Sequence, residues 1–377
     1  MSEVGKEVMD RRRFLKAVGA LSGVAALSGL AAACGSSAPG AAPTALPAAQ
    51  ATKPASAPAA ATSAPAAAAP AAGGKAKVAR VVSINPAGGS SEKAAQEFAK
   101  WMKDRSKGEL DVQVFFGGQL GGERDMVESA QLASIEICVF GDYLINNVAQ
   151  EWGGVLSMPY FITSQEKFRG VVDGPLSKPM YDAMLERKGL RHIAWENRGP
   201  RYLTSNKPVS IPADLKGIKI RVPEVEMSMA AWKMLGAIVT PMAFPEVFMA
   251  LKQGTIDAQE NPYELIYGSS FFEVQKYLNQ TAHLRSGYEV VVSEKWFKTL
   301  SPELQKTVSD GLVEMAKLQD KMQAEDEAGY ETKMKDKGMI FNPVQLDKFQ
   351  EALVDLPKQF QSKWMPGFFE DVQKFVK

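Results

Sequence analysis

Residues Asp214–Pro262, DLKGIKIRVPEVEMSMAAWKMLGAIVTPMAFPEVFMALKQGTIDAQENP, decide the architecture of the chain. Ile218, Ile220 and Val222 alternate with Lys219 and Arg221. That period of two predicts a strand whose aliphatic side chains share one face while Arg221 projects from the other. Pro223 has no backbone N–H to donate and closes the strand directly after the arginine. A helix follows with Met227, Ala230, Ala231, Met234 and Leu235 on one face, and a methionine-rich face of this kind reads as core packing. Next come a second strand candidate, a second helix with Phe248, Leu251 and Ile256 packed around it, and a polar turn, Gln259-Glu260-Asn261-Pro262. A planar guanidinium at a strand end, facing a polar turn, is suited to holding an anion.

Working outward, 377 residues allow about two domains once non-globular parts are set aside. The 44 basic and 43 acidic side chains leave a net charge of +1, and no Lys/Arg block is interleaved with aromatics. Neither nucleic acid nor an anionic membrane surface is therefore an expected partner of the body. His192 and His283 lie far apart in sequence, so no metal site is expected, and no cofactor motif is present. Of the two cysteines, Cys34 belongs to the leader discussed next, which leaves Cys138 without a disulfide partner.

Residues 1–34 have the pattern of a targeting segment. Arg11-Arg12-Arg13-Phe14-Leu15-Lys16 fits a twin-arginine signal, and a weakly apolar run, Ala17–Ala33, follows it. Two readings stand: an N-terminal anchor helix, or an export signal whose cleavage exposes Cys34 for lipidation. Leu30-Ala31-Ala32-Ala33-Cys34 resembles a lipobox with its leucine one place further from the cysteine than usual. Residues 35–75 are almost entirely Ala, Pro, Ser, Thr and Gly, a composition unable to bury enough apolar surface to fold. We expect a disordered tether reaching roughly 35 Å, with the protein outside the cytoplasm, periplasmic or at the cell surface, and lipid-anchored at Cys34.

The folded body begins near Ala76, with strands at Val78–Ile84, Leu110–Phe116, Ile135–Phe140 and Leu190–Trp195. A helix with an Ala94, Ala95, Phe98, Trp101 and Met102 face, capped by Ser90 or Ser91, follows the first strand, and another helix starts near Glu123. Phe168 to Glu186 reads as helical. Such alternation predicts mainly parallel sheet covered by helices. After Pro262 the pattern gives a helical segment and then a strand, Tyr288–Ser293. Ser301-Pro302-Glu303 opens a helix that runs to about Lys335, roughly 50 Å and longer than one domain is wide. One or two amphipathic helices complete Val344–Lys377.

Enzyme signatures are missing. No Gly-x-Ser-x-Gly, His-Glu-x-x-His, Cys-x-x-Cys or dinucleotide fingerprint occurs, and the loop Gly117–Gly122 lacks the Lys-Ser/Thr ending of a phosphate loop. The expectation is a binding protein, not an enzyme; a ligand-sensing protein for a membrane receptor and an exported enzyme are the alternatives.

Ala213-Asp214-Leu215-Lys216-Gly217-Ile218-Lys219-Ile220-Arg221-Val222-Pro223, then Pro241-Met242-Ala243-Phe244, then Gly254-Thr255-Ile256-Asp257-Ala258-Gln259-Glu260-Asn261-Pro262 closely resemble the extracytoplasmic solute-binding proteins of TRAP transporters, the DctP-type family. Gly199-Pro200-Arg201 with Thr204-Ser205-Asn206 occupies the place of that family's other arginine motif. The resemblance implies an α/β, two-lobe periplasmic-binding-protein-like fold with a hinge and a long helix spanning both lobes. Lobe I would comprise residues 76–198 and 287–326, and lobe II residues 199–286 and 327–377. It further implies that Arg221 pairs with a ligand carboxylate, that Arg201 and Asn261 add hydrogen bonds, and that a TRAP permease receives the ligand. C4-dicarboxylates, sugar acids and 2-oxo acids are the small-molecule partners it offers. Asn85, Asp142, Phe244 and Tyr288 are further candidates. For three of these a plain role stands beside the ligand role: Asn85 begins a turn, Asp142 caps a helix, Phe244 is core. Arg198 departs from the family pattern; it either prefers a second carboxylate or faces solvent.

Overall fold

The computed structural model describes residues 76–377; the signal segment, Cys34 and the tether lie outside them. Apolar strands build the first sheet. β1 (Lys77–Ser83) pairs in parallel with β2 (Leu110–Phe115) on one side and β3 (Ile137–Phe140) on the other. The crossovers carry α1 (Ser90–Arg105) and α2 (Glu123–Leu132), which cover the sheet. β3 is buried at every position, so its continuous Ile-Cys-Val-Phe run needs no alternation, and Cys138 is a free core thiol. Four helices, α3 (Tyr143–Val148), α4 (Gln150–Leu156), α5 (Gln165–Val172) and α6 (Lys178–Lys188), lead to β4 (Leu190–Asn197). The helical stretch expected over Phe168–Glu186 is formed by two of these, α5 and α6. Pro175 lacks the N–H that would continue the first of them and opens a separate turn, Pro175–Ser177.

Through Arg198-Gly199-Pro200 the chain enters a second sheet. It contains β5 (Arg201–Ser205), β6 (Lys219–Val222), β7 (Ile238–Pro241), β8 (Ala258–Asn261) and β9 (Tyr277–Leu284). α7 (Glu226–Met234), α8 (Val247–Lys252) and α9 (Tyr263–Gly268) connect these strands. The chain then returns through Arg285-Ser286 to β10 (Gly287–Ser293), antiparallel between β3 and β4, which completes the order β2-β1-β3-β10-β4. After the short α10 (Glu294–Phe297) comes α11 (Pro302–Asp336). β11 (Ile340–Asn342) then adds the last strand to β11-β9-β5-β8-β6-β7. α12 (Leu346–Ala352) and α13 (Phe368–Val376) end the chain.

The molecule therefore has two α/β lobes. α11 spans them: at 35 residues it is about 52 Å long. Its start follows the expected cap, the Ser301 hydroxyl accepting the Leu304 N–H at 3.2 Å. Leu304, Val308, Leu312 and Met315 pack with the α1 face in the first lobe, while Tyr330 and Met334 join Phe271 and Leu278 in the second. Residues 365–376, expected with the second lobe, pack on residues 150–172 of the first: Phe369 stacks on Phe161 at 5.1 Å, and the Met365 N–H donates to the Glu151 carbonyl.

Other expectations change as well. The polar turn Gln259-Glu260-Asn261 is the buried strand β8, hydrogen-bonded between β5 and β6. β5 and β9 were not anticipated, because their polar side chains find partners only across the sheet. Neither serine caps α1: its N-cap is Gly89, and the Ser90 N–H is taken by Glu264 of the other lobe.

Candidate functional site

Both sheets aim strand ends at one cleft. From the first lobe come Asn85 after β1, Asp142 after β3 and Tyr288 on β10; from the second come Arg201 at the start of β5, Arg221 on β6, Phe244 after β7 and Asn261 ending β8. All of these expected residues line a single cavity, joined by Arg198, Glu123 and Leu265. The cavity holds about 20 Å³, little more than one water needs, so the lobes meet closely around it. A mouth of about 200 Å³ adjoins it and shares Glu123, Arg221, Pro223 and Phe244.

Arg201 and Arg221 have unlike surroundings. Arg201 makes a fork against Glu260, with Nε and Nη2 donating to its two carboxylate oxygens at 2.5 and 2.7 Å, and Nη1 reaches Asp142 at 3.4 Å. His283 Nε2 lies 2.9 Å from the same Glu260 carboxylate. Burial alone pushes the Glu260 carboxyl up, but Arg201 and His283 together hold it down at about 2. Arg221 has no carboxylate. Nε and Nη2 both donate to the Met242 carbonyl, at 2.9 and 2.6 Å, and the guanidinium lies 5.7 Å over the Phe244 ring. Burial pushes its pKa down to about 10, against the pull of Glu260. It stays charged at neutral pH, a buried cation held only by uncharged groups.

The other end of the cavity is also polar. Arg198 donates to Asp142 at 2.9 Å and lies 4.7 Å over the Tyr288 ring. It is only 5% exposed, which removes the solvent-facing reading. Asp142 does not cap α3 with its side chain; its carboxylate sits between Arg198 and Arg201. Asn85 donates to Ser91, leaving its Oδ1 buried without a partner, as are Arg198 Nε and the Tyr288 hydroxyl. Asn261 donates to Gln259 within β8, and Phe244 is half-buried at the mouth, packed against Phe271 as well as under Arg221. Glu123 accepts the Gly141 N–H at 2.6 Å, and burial raises its pKa.

Sequence reading missed Glu260, His283 and Glu123. Glu260 lay inside the quoted motif, and only its assignment to a turn hid its role. His283 gave no signal, since β9 itself was not foreseen. A larger concavity of about 480 Å³ lies on the outer face of the first lobe beside Tyr181 and His192. Its Arg169 and Lys178 are already paired with Asp173, Asp320 and Asp182, so it presents no unmatched charge of theirs.

Comparison with known proteins gives a consistent picture. A family model described as bacterial extracellular solute-binding protein, family 7, matches residues 81–363. A solute-binding protein of Roseobacter denitrificans is 36% identical over 265 residues, 70% of this chain and 80% of its own length. The 2,3-diketo-L-gulonate-binding periplasmic protein of Escherichia coli is 35% identical, over 69% of this chain and 79% of its own. Among solved structures, a TRAP periplasmic solute-binding protein from Roseobacter denitrificans with bound L-galactonate superposes with TM-score 0.74 at 31% identity, covering 80% of this chain and 98% of that one. One from Actinobacillus succinogenes, also with L-galactonate, gives 0.75 at 29%, covering 80% and 99%.

Proposed function

From the premise that the chain belongs to the bacterial extracellular solute-binding proteins, family 7, we propose that its ligand is a hydroxylated monocarboxylate, a sugar acid, whose carboxylate binds Arg221. The protein is an extracytoplasmic binding protein, not an enzyme, and holds an organic acid between two lobes for TRAP-type transport. The observation that carries the finer reading is the difference between the arginines. Asp142 and Glu260 answer Arg198 and Arg201, whereas Arg221 donates only to the Met242 carbonyl and is left without a carboxylate partner. One anionic group balances it. A second carboxylate in the ligand would meet Asp142.

At the far end, Asn85 Oδ1, Arg198 Nε and the Tyr288 hydroxyl offer an acceptor, a donor and one group able to be either, a set that suits hydroxyls. The L-galactonate of the Roseobacter and Actinobacillus proteins and the 2,3-diketo-L-gulonate of the Escherichia coli protein are acids of this type. Arg201 supports the site by fixing Glu260 and Asp142, and Asn261 and Phe244 shape the carboxylate end. Ligand pockets usually measure about 300 Å³ or more, so entry requires the lobes to part. We assign the moving bodies as residues 76–198 with 287–326 and 365–377, which pack on the first lobe, and 199–286 with 327–364, hinged at 198–200, 285–286 and along α11. Delivery to a TRAP permease, and anchoring through a lipid on Cys34, complete the reading.

A thermal-shift screen of organic acids tests it, because a ligand bound to the folded state raises the melting temperature by mass action. Aldonates such as L-galactonate are expected to stabilise the protein and succinate to have little effect. Stabilisation by C4-dicarboxylates alone, or by neutral sugars alone, defeats the assignment.

A further inference from the structure

The lobes meet at a second place, behind the ligand cavity. The β1–α1 turn of the first lobe, Pro86–Ser91, lies directly against α9 of the second. Glu264 on α9 reaches across with one oxygen: Oε1 accepts the Ser90 N–H at 2.5 Å and the Ser90 hydroxyl at 2.8 Å. Gln319 of α11 donates to the same Ser90 hydroxyl and to the Asn197 carbonyl, both at 3.0 Å, which ties the contact to the hinge. Ser91 donates to the buried Glu196 at 2.5 Å.

Backbone approach here depends on two missing side chains. A Cβ at Gly268 would stand 2.5 Å from Pro86 Cβ, and one at Gly89 would stand 2.7 Å from Glu264 Oε1. Glu264 does not line the ligand cavity, although Leu265 beside it does. The two interacting segments directly follow Asn85 and Asn261, so whatever holds them also sets the distance across the cavity.

We propose that Glu264 and Ser90, with Gly89 and Gly268 permitting the approach, form an interlobe latch that stabilises the closed conformation without touching the ligand. Glu264 is a positioning residue: it supplies the first N–H of α1 with the cap that α1's own Gly89 cannot provide, and it does so only in the closed form. Ligand release therefore requires breaking this contact, whereas ligand encounter with the open form does not.

The inference concerns closure and does not depend on which acid binds. Its test combines kinetics with a ligand-free distance measurement. With L-galactonate as probe, Glu264→Ala is expected to speed dissociation about tenfold with association unchanged, since related complexes differ mainly in off-rate. Glu264→Gln restores it to within about threefold, because Oε1 alone makes both bonds and an amide carbonyl can replace it. Gly268→Ala, which wedges Pro86 away, reproduces the Glu264→Ala effect through a different atom. In a Cys34→Ser background, spin labels at Leu132→Cys on α2 and Met249→Cys on α8, both exposed, report the interlobe distance, while Cys138 is buried and unlabelled. Ligand-free Glu264→Ala and Gly268→Ala are expected to lose the short-distance population that the otherwise unaltered protein shows. Unchanged dissociation and unchanged distances in both variants overturn the latch, as does a fall in melting temperature with no change in distance. Failure of the unaltered protein to bind L-galactonate counts against the ligand assignment alone; the ligand-free distances still decide the latch.

Discussion

Arg201 and Arg221 are buried to the same 3% exposure at strand ends of one sheet, yet they face opposite electrostatic problems. Around Arg201 the protein supplies the counter-charge itself, in the Glu260 fork and in Asp142. Around Arg221 it supplies one backbone carbonyl and an aromatic face. A buried ion pair whose partner is removed leaves an uncompensated charge, while a buried cation with no partner is already uncompensated. The first arrangement serves to hold the cleft in shape. The second is a site waiting for an anion. Both carry the same side chain, so the difference lies wholly in what surrounds it.

The comparison can be broken most directly at Arg201. Removing it with Arg201→Ala strands Glu260, while Asp142 keeps Arg198, and urea unfolding is expected to show a loss of about 3–5 kcal/mol. Arg221→Ala should do the reverse: unfolding free energy unchanged or slightly increased, but L-galactonate affinity lower by about 3 kcal/mol, a little over a hundredfold by calorimetry. If both variants lose stability equally, the two environments are not distinct in the way described. A finer cut is Arg221→Lys, which keeps the charge but cannot donate two parallel bonds to a carboxylate. About a tenfold loss of affinity is expected, and full retention would remove the bidentate contact.

The remaining effects lie in pH dependence, and their signs differ by carboxyl. Glu260, held down at about 2, contributes stability that is complete above its unfolded value near 4.5 and is lost as pH falls toward 2. Glu196 is pushed up to about 8 by burial, with only Ser91 as hydrogen-bond partner. Its folded form holds a proton more tightly than the unfolded form, so it lowers stability progressively as pH rises from about 4.5 to 8. Denaturation curves of Glu196→Gln against pH should be flatter than those of the unaltered protein across that interval. Parallel curves would show that Glu196 ionises without cost.

How much of this could be read beforehand follows the same division. β1, β2, β3 and β10 announce themselves because short β-branched or alternating aliphatic runs bounded by turn residues favour strands. The Ser301-Pro302 start of α11 is equally plain, since a cap and a first-turn proline act within one turn of helix. β8 looked like a turn because Gln259, Glu260 and Asn261 are polar, and polar residues in sequence suggest solvent. They are instead fully buried, and what satisfies them is remote: Thr204 for Gln259, and Arg201 and His283 for Glu260. β9 and the Glu264 contact were hidden for the same reason. In each case the partner is brought by another part of the chain, and no local pattern records it.

The sequence by itself determined that there is a strand carrying Arg221 and a helix too long for one lobe, which are consequences of short-range sterics and periodicity. That Arg201 and Asn261 stand near Arg221 is what the family resemblance implied. Only the tertiary structure decided which arginine is neutralised and which is left free. Counter-charge is a matter of ångströms between residues far apart in the chain, and burial raises the weight of every such distance by removing the water that would otherwise screen it.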